Sequence, residues 1–106
     1  MKFGIFYEHQ LPRPWGPDSE YRLLQDSLSQ IELADRLGYD YAWEVEHHFL
    51  EEYSHSSAPE VFLGAATQRT RRISLNCAKR VRDSSTAAVT TAACSPFDCR
   101  SSSAST

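Results

Sequence analysis

The chain has 106 residues, room for one small domain, and its apolar (41%) and charged (24%) contents are ordinary for a globular protein. Residues 1–76 carry 7 Lys/Arg against 12 Asp/Glu, and residues 77–106 carry 4 against 2. Neither part has the clustered basic face that binding to a phosphate backbone requires, so nucleic-acid binding is disfavoured.

No stretch approaches the roughly 20 apolar residues of a membrane span. The run Met1–Glu8 is too short and too soon charged for a signal peptide, so a cytoplasmic protein is expected. Cys77, Cys94 and Cys99 are odd in number and lack CxxC spacing, which favours neither a disulfide framework nor a zinc site.

Lys2–Tyr7 is rich in Phe and Ile and predicts a buried first strand. Pro12, Pro14, Gly16 and Pro17 make Gln10–Asp18 a loop. Asp18 or Ser19 then caps a helix to about Leu37, with Leu24, Leu28, Ile31, Ala34 and Leu37 forming one apolar stripe. Gly38 is placed to end it in a left-handed cap. Tyr41–Val45 predicts a second strand and Leu50–Ser57 a polar loop, in which Glu51-Glu52 reads as a solvated turn. Ser57-Ala58-Pro59-Glu60 has the Ser-x-x-Glu spacing of a capping box and starts a helix to about Gln68. Arg69–Arg72 leads to a third strand, Ile73–Leu75. The order β-α-β-α-β with short turns implies parallel strands, as in doubly wound sheets and (β/α)8 barrels.

Residues 77–106 do not continue this pattern. Ser, Thr and Ala make up 17 of these 30 residues, and Phe97 is the single aromatic. Such a segment buries too little apolar surface to offset its own ordering, and a disordered tail is expected. Two origins remain open: a natural flexible low-complexity tail, or a truncated or frame-shifted product whose pattern is lost near residues 77–80. The coding DNA read in all three frames separates them.

In parallel β/α folds the carboxyl ends of the strands form the active face. Glu8-His9 follows the first strand and Glu46-His47-His48-Phe49 the second, so these groups are expected to line one mouth. An imidazole there exchanges protons near neutral pH, and an adjacent carboxylate can fix its tautomer. Two other readings stand beside this one. The histidines could belong to a solvated polar loop, or Glu44, Glu46 and His48, with His9 or His55, could hold a metal. No HExxH register supports the metal, and no metal is expected. Trp15 and Trp43 read as packing residues, and Arg69, Arg71 and Arg72 as cations suited to a helix C-terminus.

Met1–Phe6, Ala34-Asp35-Arg36-Leu37-Gly38-Tyr39-Asp40, Tyr41-Ala42-Trp43, Glu46-His47-His48-Phe49, Ser57–Leu63 and Arg72–Leu75 occur in that order. Together they resemble the N-terminal part of the luciferase-like flavin-dependent monooxygenases. The resemblance spans residues 1–76, about a quarter of a barrel of about 250 residues. It implies an α/β chain holding the first two to three β/α units of an incomplete (β/α)8 TIM barrel. It further implies a monooxygenase using reduced FMN and dioxygen to oxidise a small organic substrate, with a separate flavin reductase and pairing into dimers. His47 is then the catalytic imidazole beside the flavin, with Glu46 and Phe6 near the cofactor. Later flavin contacts have no counterpart here, so this chain alone is expected to be inactive. The alternative from another class is a small non-enzymatic α/β binding module with a flexible tail.

Overall fold

A computed structural model describes residues 1–79 and 90–91. They form β1 (Gly4–Tyr7), α1 (Ser19–Leu37), β2 (Tyr41–Val45), α2 (Pro59–Thr67), β3 (Ser74–Lys79) and β4 (Thr90–Thr91). The sheet order is β1-β2-β3-β4, with the first three strands parallel and β4 antiparallel to β3. Register places Phe6, Trp43 and Asn76 side by side, and Tyr7, Glu44 and Cys77 in the next row.

Strand alternation gives the sheet two faces. Ile5, Tyr7, Ala42 and Leu75 pack with Leu28, Ile31 and Ala34 of α1 and with Phe62 and Ala66 of α2 in one cluster. Both helices therefore cover the same face. Burial among these side chains pushes the Tyr7 phenol up to about 12. Phe6, on the opposite face, is 57% exposed. The expectation of a buried first strand is corrected accordingly: β1 begins at Gly4, and only Tyr7 of its four residues is buried. Its strand neighbour among the described residues is β2 alone, so its outer edge has no strand partner there.

The helix ends follow backbone rather than side-chain rules at their starts. α1 has Asp18 at its N-cap without a side-chain hydrogen bond; the turn before it is closed instead by the Gly16 amide donating to Ser19 Oγ at 2.8 Å. The expected Ser57–Glu60 capping box does not form. Pro59 occupies the first turn, Ala58 is the N-cap, and no side chain caps the helix. Pro59 already removes one of the donors a cap would satisfy. At the far end of α1, Gly38 has φ +87°, the Gly38 amide donates to Asp35 O and the Tyr39 amide to Ala34 O. This is a Schellman closure, and it needs a residue tolerant of positive φ. A Cβ on Gly38 meets nothing within 4 Å, so the cost of Gly38→Ala is backbone strain alone, about 1 kcal/mol. An unfolding free energy lowered by that amount, read as a lower urea midpoint at unchanged slope, is the expected result.

The connection between α2 and β3 is held by Asp35, which the stripe of α1 places inside, four residues after Ile31. Its carboxylate accepts the amides of Arg71 (3.0 Å), Arg72 (2.9 Å) and Ile73 (2.7 Å). Burial works against the charged form of Asp35, but those three amides and the Arg72 guanidinium outweigh it and lower its pKa. Arg71 and Arg72 thus sit at the amino end of β3, on the rim opposite the loops that leave β1 and β2.

Candidate active site

β1 and β2 run parallel and end on the same rim, at Tyr7 and Val45. The residues that follow are Glu8-His9 and Glu46-His47-His48-Phe49. His9 adopts φ +50°, a left-handed conformation uncommon outside glycine. Glu8 stays half-buried at the rim, while His9 is 3% exposed and packs edge-on against Phe62, 4.6 Å between centroids.

The two halves of the Glu8-His9 pair serve different partners. Glu8 Oε2 lies 3.3 Å from His47 Nε2, at ion-pair range though off hydrogen-bond geometry. The edge of Tyr53 meets the His47 ring at 5.8 Å, so a carboxylate and an aromatic ring hold it from two sides. Below, His9 Nδ1 lies 3.1 Å from Glu44 Oε1, again off the axis of a hydrogen bond. Glu44 is 1% exposed and accepts Ser56 Oγ–H at 2.7 Å. A carboxylate that deep requires compensating partners; the hydroxyl and the imidazole both address Oε1, while Oε2 is buried without a hydrogen-bond partner among the described residues.

The loops themselves are clasped together. Leu11 N donates to Glu52 O and His55 N to His9 O, each at 3.0 Å. Arg13 pairs with both Glu51 and Glu52 and lies over the Trp15 ring. Trp15 in turn meets His55 edge-on at 5.3 Å, and His55 Nδ1 is 3.1 Å from Glu20 Oε1. Glu51-Glu52 is therefore a paired turn rather than a purely solvated one, and Trp15 packs in a loop rather than in the core.

The expected gathering at one mouth separates into distinct pairs. His47 has Glu8, not the adjacent Glu46, as its nearest carboxylate; Glu46 Oε1 is 3.0 Å from His48 Nε2. The alternative metal set does not come together: Glu44 turns inward to His9 while Glu46 and His48 face each other. Among the described residues no three His, Cys, Asp or Glu side chains are grouped to hold a metal. Phe6 and Trp43 lie side by side on the face away from the helices, and Glu8 and His47 continue the parity of that face. Sequence reasoning missed the roles of Glu44, Ser56 and Asp35. For Glu44 the signal was present, since a charge inside the apolar run Tyr41–Val45 must find a buried partner.

The family of luciferase-like monooxygenases matches residues 1–94. Over 75 residues the chain is 40% identical to a 4-hydroxyprotoasukamycin monooxygenase of Streptomyces nodosus subsp. asukaensis, covering 71% of this chain and 19% of that protein. It is 40% identical over 78 residues to a limonene 1,2-monooxygenase of Rhodococcus erythropolis, covering 71% of this chain and 18% of that one. The chain thus spans about a fifth of the length of these relatives. Among solved structures, the monooxygenase RslO1 of Streptomyces bottropensis superposes with a TM-score of 0.60 at 38% identity, over 73% of this chain and 23% of that one. The oxygenating constituent of the 3,6-diketocamphane monooxygenase of Pseudomonas putida, a type II Baeyer-Villiger enzyme in complex with FMN, gives 0.63 at 18% identity, over 77% and 21%. At that identity the second likeness concerns the fold.

Proposed function

Because the chain belongs to the luciferase-like monooxygenase family, we propose that it supplies the opening β/α units of a (β/α)8 barrel that oxygenates a small organic substrate with reduced FMN and dioxygen. The parallel strands follow chain order with both helices on one face, an arrangement shared by the opening units of a barrel and by one half of a doubly wound sheet; the family match is what favours the barrel. The observation that carries the functional reading is the Glu8–His47 pair on the rim where β1 and β2 end.

The residues present suit the ring end of a flavin. Phe6 and Trp43 offer apolar ring surface on the face away from the helices, beside Asn76 in register. Reduced FMN, when bound, supplies the electrons that activate dioxygen. His47 does the acid–base work, with Glu8 Oε2 3.3 Å from its Nε2 as the carboxylate partner. Tyr53 limits rotation of the ring. Glu46 is assigned an indirect part in the cofactor pocket, through His48, and Phe6 a direct one. A separate flavin reductase, pairing into dimers and a cytoplasmic location belong to the same reading. Among the described residues no helix is long and apolar enough to cross a membrane.

The matched segment covers about a fifth of these relatives, so it is assigned a small part of a flavin site. Titrated anaerobically with reduced FMN, it is expected to bind no tighter than about 100 μM. A Kd below about 1 μM, lost in His47→Ala, would overturn this division between the chain and the rest of the barrel.

A further inference from the structure

We infer that Ser56, with Glu44 and His9 behind it, is the positioning group that fixes His47 at the rim. The inference rests on the reading of His47 as the reacting imidazole. Its basis is the way one loop residue grips the backbone on both sides of Glu46. Ser56 Oγ–H reaches Val45 O at 2.5 Å, and Ser56 O accepts the His47 amide at 2.8 Å. Val45 is the last residue of β2, so these two contacts continue the ladder past the end of the strand and hold the segment that carries His47 extended.

Ser56 is itself held from below. Its single hydroxyl hydrogen is shared between Val45 O and Glu44 Oε1, the latter 2.7 Å away; its amide donates to Ser54 Oγ at 3.3 Å, and the amide of neighbouring His55 donates to His9 O. All three side chains of the network are buried: Glu44, His9 and Ser56. The imidazole and the hydroxyl converge on one carboxylate oxygen, Glu44 Oε1, so moving Ser56 away removes the hydrogen bond that this buried carboxylate accepts. Glu8 and His9 keep the alternation of the strand before them: Glu8 goes up to the His47 ring and His9 down to the carboxylate behind Ser56. Ring and backbone of one residue are thereby tied to the two positions that follow β1.

Amide hydrogen exchange in the full chain reads this tether without flavin or substrate. In Ser56→Ala the His47 amide is expected to exchange about tenfold faster, while the Ala42 and Ile31 amides stay within about twofold of the parent. Ser56→Thr, which keeps the hydroxyl, is expected to restore the parental rate at His47. Should Ser56→Ala give no folded chain, Glu44→Gln is read in the same way, since it keeps the shape and the acceptor oxygen but withdraws the charge facing His9. Acceleration confined to His47 supports the inference. An unchanged His47 rate, or equal acceleration at His47 and Ala42, overturns it. Because neither result depends on turnover, the tether can fail while the oxygenase reading stands, and the reverse.

Discussion

Replacing Asp35 with alanine is expected to destabilise the chain by about 3 kcal/mol or more, the largest effect of any single truncation considered for this fold. The carboxylate accepts three successive amides, Arg71, Arg72 and Ile73, at the start of β3. Removing it strands donors around buried Ile73, and each buried unpaired donor costs roughly 1–3 kcal/mol before the loop relaxes toward water. Asp26→Ala, on the exposed side of the same helix, should stay within about 0.5 kcal/mol. The effect also has a pH signature. The folded pKa of Asp35 lies below its ordinary value, so its contribution is fully present above that ordinary value and is lost as pH falls through the lowered one. Urea midpoints measured from pH 7 down to strongly acidic buffer should therefore fall for the parent, and Asp35→Ala should lack that component.

The second large effect concerns rate rather than stability. His47→Ala is expected to lower turnover about a hundredfold or more, the scale of a lost acid–base group, with a melting temperature within about 2 °C of the parent. The separation follows from position: the His47 side chain is 26% exposed at the rim, where Glu8 and Tyr53 touch it, and it is not part of the core cluster. Glu8→Gln should cost less, about threefold to tenfold, because the ring remains while its partner loses charge. Steady-state kinetics and thermal melts of the matching variants in an intact relative check both values. Losses that run in parallel in rate and melting temperature would identify a structural histidine.

Much of the fold could be read from residue order. The stripe Leu28, Ile31, Ala34 set α1, Gly38 set its end, and the apolar run Tyr41–Val45 set β2, because each of these signals is local. Signals that depend on distant partners were not legible. β3 was expected over Ile73–Leu75 and runs Ser74–Lys79, since pairing with β2 extends it through residues of weak strand character. The capping box failed because the helix starts one residue later than the motif places it, with Ala58 rather than Ser57 at the N-cap. The short antiparallel strand Thr90–Thr91 was not anticipated in a Ser/Thr/Ala-rich stretch, and its partners are backbone groups of Ala78 and Lys79. The expected disorder of the remaining tail lies outside the described residues.

The site divides in the same way. Sequence placed His47 beyond the end of β2 and Glu8 beyond β1, as strand order requires. Alternation puts Glu8 and His9 on opposite sides, but it could not reveal that their partners are His47 and the buried Glu44. Nor could it reveal that the loop residue Ser56, in a segment read as a polar loop, is buried against Glu44. Long-range polar pairing is set by three-dimensional closure of the two loops, which residue spacing does not encode.

The central claim is that the imidazole of residue 47, presented beside Glu8, serves oxygenation. A chimera in which residues 1–79 of this chain replace the matching segment of the Streptomyces bottropensis monooxygenase, 38% identical over the shared part, puts this to the test. The account predicts that the chimera turns over and that His47→Ala in it lowers kcat about a hundredfold while folding and flavin binding persist. A chimera that folds, binds flavin and turns over equally well with alanine at position 47 would contradict it.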